Sequence, residues 1–350
     1  MSRRKGEGTD AFSLLEVIGR DCVGALRFLP ENHQETPNSA EIPISDEAIK
    51  GMLEDLEVSP LGISNEEQFR ISVAGAQSKT ALLKKAGKWW IPGGTSATTH
   101  IIKPAIGMLK NGTDMRLSVE NEFFCLKFLS NTPIKTAEAH IEDFSGKKAL
   151  VVKRFDRKET PKGLIRLPQE DYCQVFGVSS NKKYETDGGP GILKILGHLR
   201  ESDTGSENRV DFFFVQLLFW LLGATDGHAK NFSILLQPGG GFILSPIYDV
   251  ISAQPVYDAG QITRNKMRLA MKVGDNNRDV IDRLEARHFI QTAIAAKFPE
   301  NAVKDLFVRA KKNIPIFLEK TLNELPKDFP EKISQSIANG VLERLKKIEV

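Results

Sequence analysis

The stretch "ATDGHAKNFSILL", residues 224–236, decides the reading of this chain. It follows "FFFVQLLFWLLG", residues 212–223, an apolar run interrupted only by Gln216. A buried helix that runs into an Asp, a His, a Lys and an Asn within six residues ends either in a cap or in a site. As a cap, Asp226 would close a helix end and Asn231 would occupy a turn. As a site, the same residues would bring a carboxylate, an imidazole and an amide to one short loop.

Composition limits what such a site can serve. The chain has 350 residues, 41% hydrophobic and 27% charged, the make-up of an ordinary globular protein with room for two subdomains. A net charge of +3 gives no global field for direct binding to nucleic acid or to a membrane surface. Cys22, Cys125 and Cys173 lie far apart in sequence, with no CxxC pair and no disulfide framework, which fits a reducing cytoplasm. The basic start lacks the apolar segment of a secretory signal, and the apolar run ending at 224 falls short of the ~20 residues of a membrane helix.

Texture changes along the chain. Up to about Asp156, the pieces "GALRFLP", "FRISVAGAQSKTALL", "WWIPG", "THIIKPA" and "KKALVVKRFD" read as strands, and "SVENEFFCLKFLS" reads as a helix. Beyond it come longer helical segments, with short apolar strands in "NFSILL" and "GFILSPIYDV". The pattern is α+β, with a β-rich lobe over residues 1–155 and a mostly helical lobe over 156–350. In "NKKYETDGGPGILKIL" a polar loop leads into a helix, and its glycines do not follow the GxxxxGK[ST] phosphate-loop order.

Spacing then gives the site reading its content. Asp226 and Asn231 are five residues apart, as in the kinase catalytic loop H-R-D-x-x-x-x-N. Asp226 would orient or deprotonate an attacking hydroxyl, and the Asn231 amide oxygen would bind a magnesium ion beside it. Asp249 follows 23 residues after Asp226, at the end of an expected apolar strand, and suits a second metal carboxylate. His228 reads as a hydrogen-bonding residue of this loop rather than a metal ligand. Upstream, Lys103 ends the β-branched run "HIIK" and could hold nucleotide phosphates, and Glu122 on the next helix could pair with it. Before them, "SVAGAQSK" offers small residues through which backbone N–H groups could approach phosphate oxygens. Taken singly, each has a bland alternative: Lys103 as a solvated strand end, Glu122 as a surface charge, Ser72 as a strand-edge hydroxyl. The Trp89–Trp90 pair reads as core or hinge packing.

These residues also carry a resemblance. The segments "FRISVAGAQSKTALL", "TTHIIKPAIG", "RLPQEDYCQVFG", "KYETDGGPGI", "WLLGATDGHAKNFS" and "YDVISAQP" resemble HipA-family serine/threonine kinases, toxins of bacterial toxin–antitoxin modules, over residues 12–329. The resemblance implies a kinase-like fold, Asp226 as catalytic base with His228 beside it, and Asn231 and Asp249 as Mg2+ ligands. It implies that Ala74, Gly75, Ala76, Gln77 and Lys79 cover ATP, that Lys103 binds its phosphates, and that backbone near Lys153 and Phe155 meets adenine. Ser72 matches a serine whose phosphorylation restrains the kinase. Lys153 departs from the family, whose longer members have Glu there. The segment "FSLLEVIGRDCVGALRFLP" lies near the start of this chain, whereas a whole subdomain precedes it in full-length HipA, so the chain is similar to the split HipT form. A small HipS-like protein is then expected to supply that subdomain. A HipB-like DNA-binding antitoxin, with DNA reached only through it, and an aminoacyl-tRNA synthetase substrate, tryptophanyl before glutamyl, complete the implied partners. The polar segment 104–118 reads as a mobile loop that orders when protein substrate arrives. Two other classes remain open: a non-catalytic co-repressor bound to the antitoxin, and a small-molecule kinase.

Overall fold

The structure, a computed structural model, describes residues 15, 19–29, 31, 41–56, 77–161 and 163–348. It divides into two compact units, one comprising residues up to Ile106 with Glu138–Gln169, the other Gly107–Ala137 with Glu170–Val350. This differs from the single boundary after residue 155 expected above. The cause is the helix Ser118–Ser130, which is buried on nearly every face and packs on Glu300–Asn323 and Glu331–Lys346 of the second unit. An Asn121 amide that both donates to Ser252 O and accepts from Ser252 N, each at 2.8 Å, holds it there.

The first unit is built on a six-stranded antiparallel sheet in the order Ile42–Pro43, Lys88–Ile91, Thr80–Lys85, His100–Pro104, Lys147–Lys153, Ala139–Phe144. The helix Asp46–Asp55, capped by Ser45, places Ile49 and Leu53 in a core with Leu82, Trp89, Ile102, Phe144 and Val151. The strands of "TALL", "WWI", "HIIK" and "ALVVK" thus form where alternation and β-branching place them. Trp89 is core, and its indole N–H donates to Glu142.

Residues 24–30 do not form the expected strand: those described are irregular. Their backbone groups go instead to buried charges, Gly24 N to Asp156 Oδ2 at 2.8 Å and Gly24 O from Arg157 Nη1 at 2.9 Å. Arg154 binds both Asp156 oxygens at 3.0 and 2.8 Å, and Asp21 accepts from Arg154, Arg157, Arg166 and Thr98. With side chains as buried as these, the charges persist only because each is paired.

The second unit is centred on the helix Gly205–Leu222, whose residues from Phe212 onward are all buried. No helix among the described residues is long and apolar enough to cross a membrane. Hairpins at Ser233–Leu236 with Phe242–Leu244, and at Arg268–Val273 with Arg278–Val280, flank the helices. Segment 104–118 holds a short ribbon, Gly107–Met108 against Asp114–Met115, pinned where Asp114 N donates to Gln261 at 2.9 Å.

Candidate active site

The central helix ends at Gly223, which takes the left-handed conformation (φ +68°) and lets Ala224 N close on Phe219 O at 2.9 Å. The chain then turns into the loop holding Asp226, so the helix cap is made by Gly223 and Asp226 is released from that duty. Gly227 is required by space: a Cβ there would lie 2.4 Å from the Phe219 ring. Gly227→Ala is therefore expected to lower the thermal midpoint and to impair the site together, by about 1–3 kcal/mol of overpacking, measured by calorimetry and by ligand binding on one preparation.

The loop folds on itself through short bonds. His228 N donates to Asp226 O at 2.8 Å, Asn231 N to His228 O at 2.9 Å, and Asn231 Nδ2 to Asp226 O at 2.7 Å. That last bond fixes the Asn231 amide with its nitrogen spent on backbone, and the acceptor oxygen Oδ1 is the end left for a cation. A second contact, Asn231 Nδ2 to Asp249 O at 3.4 Å, ties the two expected metal residues to each other. Asp249 lies beyond the strand, which stops at Leu244, in an irregular segment with φ +59°. The expected apolar strand is thus shorter, because the chain leaves the hairpin after Ser245, whose N–H still donates to Ser233 O at 2.9 Å: Ile247 bonds Lys135 O at 2.8 Å and Ala137 N at 2.9 Å instead. Tyr248, beside Asp249, donates to Lys230 O at 2.9 Å and meets Ser233 Oγ at 2.5 Å, which binds this segment to the loop.

Asp226 presents a carboxylate whose side chain is 47% exposed, while His228 is buried. The imidazole Nε2 lies 3.8 Å from Asp226 Oδ1, and Nδ1 has no hydrogen-bond partner among the described residues. Burial, opposed by the Asp226 charge, holds His228 below its ordinary pKa, so the ring is neutral at pH 7. The ring packs edge-on against Tyr184, with centroids 5.0 Å apart. Lys230 is occupied by Asp171 at 2.6 Å. One partner was not among the candidates read from sequence: Tyr184 Oη donates to Asp226 Oδ1. Its signal in the sequence is only a tyrosine in a polar, Gly-rich loop, with nothing to say what it faces.

The remaining candidates lie elsewhere. Lys103 is buried on the fourth strand of the first unit's sheet, opposite Leu150, and Lys79 is buried just before Thr80–Lys85. Gln77 Nε2 donates to Pro104 O at 3.2 Å, which joins the end of the small-residue loop to the lysine strand. Lys153 pairs with Glu138 at 3.0 Å, and its backbone N–H donates to Glu138 O, while Phe155 follows the strand. Glu122 is buried on Ser118–Ser130. Ser72, Ala74, Gly75 and Ala76 lie outside the described residues.

Among the described residues no three His, Cys, Asp or Glu side chains gather as a ready metal cage. One carboxylate and one amide oxygen fit magnesium, which keeps waters and takes further oxygens from substrate phosphates rather than from an all-protein cage.

Comparison with known proteins gives the family and the fold. The HipA-like C-terminal domain family matches residues 71–316, and the chain belongs to that family. Y4mE of Sinorhizobium fredii, named as a kinase, is 33% identical over 75% of this chain and 61% of its own length. The serine/threonine-protein kinase toxin HipA of Shewanella oneidensis is 28% identical over 76% of this chain and 60% of its own. The chain thus spans about three fifths of these curated relatives. The solved HipA of Shewanella oneidensis MR-1, in complex with HipB and operator DNA, matches with a TM-score of 0.79 at 24% identity, covering 100% of this chain and 80% of that one. The fold is the α+β fold of HipA.

Proposed function

We propose that this chain is a Mg-ATP-dependent protein serine/threonine kinase acting as the toxin of a toxin–antitoxin pair. The observation that carries the reading is the Asn231 amide held on the Asp226 carbonyl, which sets a base and a cation ligand side by side in a loop of kinase spacing. Asp226 accepts the proton of a substrate Ser hydroxyl as its oxygen bonds the γ-phosphorus and the bond to the β-phosphate oxygen breaks, releasing ADP. Lys103 holds the nucleotide's phosphates, with the loop around 74–79 over them, Glu122 as its pairing carboxylate and backbone near 153–155 for adenine. Magnesium, held by Asn231 and Asp249, would neutralise the charge of the transferring phosphoryl group. A phosphate on Ser72 would put about −2 charge beside the nucleotide's phosphates and restrain the enzyme.

The family resemblance supports the finer proposals. The substrate is an aminoacyl-tRNA synthetase, tryptophanyl before glutamyl, whose modification stops aminoacylation and growth. A HipB-like antitoxin binds the chain and carries it to DNA. A small HipS-like partner covers part of the first unit, where Leu26 and Phe28 stand exposed.

The test is transfer of labelled γ-phosphate from Mg-ATP into proteins of a bacterial lysate, using chain unphosphorylated at Ser72. A discrete labelled band is expected with the wild type, and loss of label by 10²–10⁴-fold with Asp226→Asn. Equal labelling by both, or label in metabolites alone, would remove the proposal.

A further inference from the structure

We propose that Tyr184 is the positioning residue of Asp226, a role that rests on the reading of Asp226 as the base. Asp226 is half-exposed, and among the described residues the only hydrogen bond to its carboxylate comes from Tyr184 Oη. An exposed aspartate otherwise samples several rotamers, and a base must hold one of them to meet the substrate hydroxyl in line. Tyr184 takes Oδ1 and leaves Oδ2 to accept the substrate's proton.

Tyr184 can do this because its own backbone and ring are fixed from four directions. Its carbonyl accepts from Asp187 N at 3.0 Å and Gly189 N at 2.9 Å, closing the "YETDGG" turn upon itself. The preceding carbonyl, Lys183 O, accepts from Ala229 N at 3.2 Å, so the turn is bonded to the catalytic loop by backbone as well as by side chain. The next residue, Glu185, accepts from Lys272 N at 2.6 Å, anchoring the turn to the strand Arg268–Val273. The phenol ring stands edge-on to the buried His228 ring, with centroids 5.0 Å apart at 82°. His228 therefore walls the ring that orients the base.

Tyr184 transfers no proton in this scheme. Burial, the hydrogen bond to Asp226 and the Asp226 charge all push the phenol above its ordinary pKa, so it keeps its proton and remains a donor at neutral pH. The proton that leaves the serine goes to Asp226 alone.

The experiment uses the full chain, with single-turnover label transfer into the lysate proteins followed at varied Mg-ATP. Three variants are compared: Tyr184→Phe, Asp226→Asn, and chain carrying ring-fluorinated tyrosine at 184, which keeps ring and hydroxyl. Tyr184→Phe is expected to lower the maximal rate about tenfold, with half-saturating Mg-ATP unchanged, the loss of one hydrogen bond to a charged group. Fluorotyrosine is expected to restore the rate. With Asp226→Asn inactive, a wild-type rate for Tyr184→Phe overturns the positioning role. So does a slower Tyr184→Phe whose half-saturation rises, or whose rate the fluorinated side chain does not restore, because that is general damage to the loop. Wild-type transfer by Asp226→Asn instead removes the base reading itself.

Discussion

Asp249→Asn is expected to reduce phosphoryl transfer on the order of 10³-fold and to leave the fold intact. The rate estimate is the several kcal/mol that a bound cation contributes to a phosphoryl transition state, at about 1.4 kcal/mol per decade. The substitution suits the test because of the backbone. Asp249 has φ +59°, a region that Asn tolerates about as well as Asp, whereas Ala or Leu would add strain to the loss of charge. The neighbouring contacts also survive, since Asn231 meets the backbone carbonyl of Asp249 and Tyr248 is bonded to Lys230 and Ser233. Thermal unfolding should therefore match the wild type while label transfer is lost. Binding to a HipB-like antitoxin should be unchanged, which separates a kinase from a co-repressor. Transfer at the wild-type rate would refute the metal role of Asp249.

Much of this arrangement was legible because it is local. The helix Ser118–Ser130 coincides with the stretch read from its apolar content, and the strand of Lys103 falls where β-branching ends in a lysine. Asp226 and Asn231 converge because five residues of chain cannot separate them far, and the loop's own bonds complete the approach. What failed to show in the sequence depends on partners distant along it. Tyr184 reaches Asp226 across 42 residues, and a tyrosine in a polar loop looks the same whether it meets a base or solvent. Residues 24–30 alternate like a strand, yet the N–H and carbonyl of Gly24 at its start are taken by Asp156 and Arg157, more than a hundred positions away. The hairpin Arg157–Thr160 with Gly163–Arg166 carries so many charges that no hydrophobic alternation marks it.

The same distant bonds set the second large effect. Asp21→Ala is expected to destabilise the first unit by about 3–5 kcal/mol, the cost of leaving buried charges without their partner. Asp21 is 4% exposed and accepts from Arg154 at 3.2 Å, Arg157 at 2.9 Å and Arg166 at 3.0 Å. Burial alone would raise its pKa, as it would that of Asp156, but the guanidinium groups and hydrogen bonds outweigh burial and hold both carboxyls below the ordinary 3.8. Their stabilisation is thus present above that ordinary value and is lost as pH falls further, through the depressed native values. Urea unfolding followed by tryptophan fluorescence measures this, since Trp89 and Trp90 lie in the first unit and Trp220 in the second. The wild type should keep this stability from pH 7 down to about 4 and lose it below, and Asp21→Ala should start lower and fall less steeply there, because one of the carboxylates that must be protonated is already gone. An Asp21→Ala chain as stable as the wild type at pH 7 would mean that the arginines find solvent without it, and the segment around Gly24 would then owe its shape to packing alone.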